Sequence, residues 1–96
     1  MNKTISDAIK NKISLELRYH GFARSVEPHA YGRDKDGAEV LRCYQISGGS
    51  QSGEREGWKL LKVRDVYSIH LLDENFTVRR DYRRNDKSMV FIFEQA

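Results

Sequence analysis

Residues 13–20 read Ile13-Ser14-Leu15-Glu16-Leu17-Arg18-Tyr19-His20. Apolar and polar side chains alternate with a period of two. In an extended chain this puts Ile13, Leu15, Leu17 and Tyr19 on one face and Ser14, Glu16, Arg18 and His20 on the other. A strand with one buried face is the expectation, and it sets the chain among mainly β folds. Upstream the period changes. Ile5, Ala8, Ile9 and Ile13 recur at three and four, the stripe of a short helix. Thr4 and Asp7 form its start signal, a hydroxyl to accept a backbone N–H and a carboxylate at the positive end of the helix.

Downstream, Gly21 interrupts the strand and residues 22–31 return as a second one. Pro28, which has no N–H, is expected at a strand end or on an edge. Asp34-Lys35-Asp36-Gly37 predicts a hairpin, because Asp-Gly tolerates the positive φ of a tight turn. Val40, Leu41, Cys43, Tyr44 and Ile46 form a strand apolar on both faces, which suggests a central position. The glycine- and serine-rich residues 47–57 predict a flexible loop. Trp58, Leu60 and Leu61 restart the sheet, and Val63, Val66, Ile69, Leu71 and Leu72 carry it to a close at Asp73-Glu74-Asn75. At the C-terminus, Asn85 or Asp86 can cap a helix carrying Met89, Val90, Ile92 and Phe93, the preferred reading. Met89-Val90-Phe91-Ile92-Phe93 also suits a buried strand. The expected fold is α+β and mainly β: a short N-terminal helix, four or five antiparallel strands in a small twisted barrel, and a C-terminal helix.

Composition narrows the class. Ninety-six residues hold one domain, and 39% hydrophobic content with ten aromatic residues is enough for a core despite a mean hydropathy of −0.73. One cysteine, Cys43, excludes an internal disulfide or a CxxC pair. No stretch approaches the roughly 18–20 apolar residues of a membrane span, and the first residues lack the apolar run of a signal peptide. A soluble, cytoplasmic, single-domain protein is expected. The net charge of +3 sits almost wholly in residues 79–87, where Arg79, Arg80, Arg83, Arg84 and Lys87 outnumber Asp81 and Asp86. The other 87 residues are neutral, with 12 basic and 12 acidic side chains.

With these segments in order, the sequence resembles the WYL domain family over residues 4–76. The resemblance rests on the helix ending in Ala8-Ile9, the strand ending in Tyr19, and Arg24-Ser25-Val26-Glu27-Pro28. It continues through Leu41 ahead of Arg42-Cys43-Tyr44, then Arg55 with Trp58-Lys59-Leu60-Leu61-Lys62-Val63, and Phe76 after Asp73-Glu74-Asn75. The family's Trp-Tyr pair is replaced by Glu39-Val40, and Glu56 stands where its arginine is usual, Arg55 being one residue away. The resemblance implies an Sm-like small β-barrel that senses a ligand or binds nucleic acid, in families often tied to transcription regulation. Residues 77–96 would pack on the same domain as a basic segment and a C-terminal helix or strand.

The chemistry expected is anion binding rather than catalysis. Cys43 alternates with Arg42 and Tyr44 inside an apolar strand, the setting of a buried thiol and not of a nucleophile. His20, His29 and His70 lack metal-site spacing, and the glycine loop matches no phosphate-binding motif, so no catalytic residue, metal or cofactor is assigned. By resemblance, the ligand or nucleic-acid contacts are Tyr19, Arg24, His29, Arg42, Arg55, Lys59 and Lys62. Arginine forks match phosphate oxygens, and Tyr19, Tyr31 and Tyr44 offer stacking faces. Arg79, Arg80, Arg83 and Arg84, with Tyr82 among them, form a second basic patch suited to a phosphate backbone or to a solvated connector held by Asp81 and Asp86. The expected partner is a nucleotide or single-stranded nucleic acid. A homo-oligomer or protein contact through open barrel edges is the other reading.

Overall fold

A computed structural model describes residues 2–96. Helix α1 (Lys3–Asn11) leads into β1 (Ile13–Tyr19), β2 (Phe22–Arg33), β3 (Glu39–Gly48) and β4 (Gly57–Lys62). A single 3-10 turn (Val63–Asp65) connects β4 to β5 (Val66–Asn75), and β6 (Phe91–Gln95) ends the chain. The strands form one antiparallel sheet in the order β4-β3-β2-β1-β5, with β6 added to β2. β4 and β5 are not hydrogen-bonded to each other, so the sheet stays open. The molecule as a whole measures 28 × 26 × 25 Å.

The alternation over 13–19 does what the period requires. Leu15, Leu17 and Tyr19 enter the core with Val26, Tyr31, Leu41, Cys43 and Leu61, while Glu16 and Arg18 face solvent. Helix α1 covers this concave face through Ile5, Ala8 and Ile9. Its cap is Asn2 rather than Thr4, since Asn2 Oδ1 accepts the Ile5 N–H at 3.1 Å, two residues earlier than the T-x-x-D pattern suggests. Lys12, in the left-handed region at φ 56°, ends the helix and turns the chain into β1. His20 and Gly21 both take positive φ, the requirement of a two-residue hairpin between twisted strands.

β2 organises the molecule. Its first half pairs with β1 (Leu15↔Val26 to Tyr19↔Phe22), and on the same side its second half pairs with β6 (Ala30↔Gln95 to Arg33↔Phe91). Pro28 lies between these two partners, at a register shift of the β2–β3 ladder. The expected edge position is thus corrected: Pro28 is inside a central strand, at a bulge between one partner and the next.

The expected C-terminal helix is also corrected. Residues 91–95 form β6. Asp86 does make cap-like hydrogen bonds, accepting the Ser88 N–H at 2.9 Å on its side chain and the Met89 N–H at 3.0 Å on its carbonyl. That turn stops because the Val90 N–H goes to the Arg33 carbonyl at 2.8 Å and the chain joins β2. Before this, residues 77–90 cross the outer face of the sheet. Tyr82 and Met89 pack there on Ala30 and Val40, a second and smaller apolar cluster. Among the described residues no helix is long and apolar enough to cross a membrane.

Candidate functional site

The site is built on the bulge. His29 is fully buried and faces the outer cluster, where its ring meets Trp58 (centroids 4.9 Å, edge-on), Tyr82 (5.0 Å) and Phe76 (5.1 Å). Nδ1–H donates to the Glu27 carbonyl at 2.8 Å, and Nε2 accepts the Arg79 N–H at 3.2 Å. These roles fix one neutral tautomer. Burial lowers the His29 pKa from its ordinary value, as the imidazolium would lose its hydration. The Arg79 guanidinium donates to Glu27 at 2.8 Å and lies 3.6 Å over the Tyr44 ring. The Glu27 hydrogen bond raises its pKa. Arg79 is therefore a clasp that docks the start of the basic segment.

Tyr44 and Trp58 are cross-strand partners on β3 and β4, with rings perpendicular at 5.4 Å. Next to them Arg42 donates from Nε to Asp86 at 2.7 Å and from Nη2 to the Ser88 hydroxyl at 3.2 Å, which pins the far end of the segment. Burial disfavours the Asp86 carboxylate, but hydrogen bonds from Arg42 and Ser88 outweigh it and hold the carboxyl below its usual range. Trp58 Nε1–H donates to Asp81 at 2.9 Å. The segment between these anchors encloses a pocket of about 550 Å³ lined by Arg42, Trp58, Tyr82, residues 83–87 and Asp81. Arg83, Arg84 and Lys87 are exposed and make no hydrogen bond or ion pair among the described residues. The pocket thus pairs aromatic faces with a rim of unneutralised cations.

The seven residues expected to share a basic face do not converge. Register puts Lys59 opposite Cys43, on the inner side of the sheet, whereas Arg42 is opposite Leu60 on the outer side. Lys59 Nζ donates to the Glu54 carbonyl at 3.0 Å. Arg24 is only 4% exposed; it donates to the Tyr19 carbonyl at 3.1 Å and to Gln45 at 3.4 Å, with its guanidinium 5.1 Å from the Tyr19 ring centroid. Desolvation lowers its pKa. Tyr19 is buried too, its hydroxyl accepting the Lys62 N–H at 3.1 Å. His29 is buried with both nitrogens engaged. Arg55 lines a separate depression with Phe22 and Gly49. Of the seven, Arg42 alone lines the main pocket.

Arg80 is exposed outside the pocket lining, and Arg79 is the clasp, so the run 79–87 divides into structural and free cations. Tyr82 was legible only as the aromatic within the basic run, while Trp58, Asp81 and Asp86 were not expected as site residues. Cys43 is fully buried, and burial pushes its thiol up to about 12. Among the described residues, no three His, Cys, Asp or Glu side chains are grouped as metal ligands. No known protein family, curated protein or solved structure matches the chain.

Proposed function

We propose that this chain is a non-enzymatic intracellular binding module, an Sm-like small barrel resembling WYL domains, that holds a nucleotide or single-stranded nucleic acid. One observation carries the reading. The Trp58–Tyr82 pocket joins aromatic surface to the free cations Arg83, Arg84 and Lys87. A base stacked on an aromatic ring contributes about 1–3 kcal/mol, and the neighbouring phosphates release counterions to the rim. The Trp58 and Tyr82 centroids are 6.1 Å apart with a 31° tilt, so a base stacks on their pocket-facing surface rather than between them. Binding without chemistry fits the two classical nucleophile and base candidates: the Cys43 thiol stays protonated in the core, and His29 spends both nitrogens on the fold.

The test is fluorescence polarisation of short labelled single-stranded DNA and RNA. With three rim cations and a slope of about −0.7 per phosphate contact, affinity falls about 20-fold between about 50 and 200 mM salt. Arg83→Glu with Arg84→Glu abolishes binding and leaves the thermal midpoint in place. Salt-independent affinity, or an unaffected double variant, refutes the reading.

A second reading draws on the open sheet. β5 pairs only with β1, and it exposes Tyr67 (80%) and Leu71 (52%) beside its free edge. Such an edge accepts a strand from another copy or partner. Light scattering that shows a defined oligomer, together with no oligonucleotide binding, favours it.

A further inference from the structure

The lining of the Trp58–Tyr82 pocket has an uneven inventory of side-chain hydrogen-bonding groups. Arg42, Arg83, Arg84 and Lys87 are donors only. The acceptors are few. Asp86 spends both oxygens on Arg42 and the Ser88 N–H. Asn85 Oδ1 accepts from Gln95 at 3.1 Å. The Tyr82 hydroxyl is buried and has no partner among the described residues. Asp81 is different. It is exposed, and among the described residues only one of its oxygens is engaged, by the Trp58 N–H. A carboxylate offers about four lone-pair positions, so most of its capacity remains at the edge of the indole.

We infer that Asp81 is a base-reading residue that makes the pocket prefer guanine. This rests on the nucleotide-binding reading above. The pairing edge of guanine presents two adjacent donors, N1–H and the N2 amine, which a carboxylate receives together. Adenine and cytosine place an acceptor nitrogen beside their amine, and uracil flanks its one N–H with two carbonyls; each of these sets an acceptor against the carboxylate. The Trp58–Asp81 hydrogen bond holds the carboxylate beside the indole that offers the stacking surface. The phosphate then points to the cationic rim.

The experiment titrates the intact chain with GMP, AMP, CMP and UMP. The indole N–H resonance of Trp58, the single tryptophan, is the reporter. GMP binds about tenfold more tightly than the other three, and its addition shifts the indole N–H most. Asp81→Asn keeps an oxygen for Trp58 but turns the second acceptor into a donor. In that variant GMP loses its advantage over AMP, while affinity for AMP is retained. Equal affinity for all four nucleotides in the wild type overturns the inference and leaves the pocket reading standing. An Asp81→Asn chain that keeps the full preference for GMP overturns it as well. If no nucleotide and no oligonucleotide binds, the pocket reading falls and takes this inference with it.

Discussion

Acidification from pH 7 to pH 5 tests the role of His29. The ring is fully buried, and its Nε2 accepts an N–H from Arg79. A proton on Nε2 turns acceptor into donor, sets two donors against each other and leaves a charge without water. Glu27 and Asp81 favour that charge and Arg79 opposes it, but desolvation dominates and the pKa is lowered from 6.5. The folded chain therefore binds fewer protons than the unfolded one below this value, and stability falls as pH drops. The slope is at most about 1.4 kcal/mol per pH unit for one proton. The loss accumulates as pH falls through and below 6.5, at no more than that slope. For a domain of this size each kcal/mol lost lowers the thermal midpoint by about 4–8 °C. Calorimetry across this range reads it, with His29→Gln as the control that flattens the slope. A midpoint constant from pH 7 to pH 5, or an unchanged slope in His29→Gln, refutes the assignment of both ring nitrogens.

Three other perturbations follow from the packing. Arg42→Ala leaves the Asp86 carboxylate largely buried without its cation and costs about 1–3 kcal/mol in urea unfolding. Because Asp86 titrates below its ordinary value, the ion pair's contribution in the wild type persists through neutral pH and is lost as pH falls below about 4, a window separate from that of His29. Gly32→Ala places a Cβ 2.1 Å from the Phe91 carbonyl oxygen, so β6 must shift; a loss of about 1–3 kcal/mol and faster amide exchange across residues 91–95 are expected. The Cys43 thiol, buried and raised to about 12, reacts with a thiol reagent only at the rate of unfolding, and rapid labelling in native buffer contradicts its position.

What the sequence revealed is what is local. The period of two over 13–19 needs no partner to be read, and the Asp34–Gly37 turn carries its own chemistry: Asp34 Oδ1 accepts from the N–H groups of Asp36 and Ala38. The β6 strand was hidden because its backbone partners lie some 60 residues away, on Ala30–Arg33, and because Asp86 does form one capped turn. The bulge at Pro28–His29 was hidden for a related reason, since it exists to let β2 change partners. The charge distribution located the basic run, but not which cations are free. Arg79 and Arg42 look like Arg83 and Arg84 in sequence. Their difference comes from Glu27 and Asp86, which fold against them from elsewhere in the chain.

The divided edge of β2 also bears on how the molecule is made. The half that pairs with β1 is satisfied by a hairpin closed through two residues, so it forms early and close to home. The half at Ala30–Arg33 pairs with β6, some 60 positions further along the chain. Without β6 this stretch of the β2 edge is unpaired. Any extended segment that reaches this edge first competes with β6. β6 thus covers an edge that would otherwise be open to strand exchange.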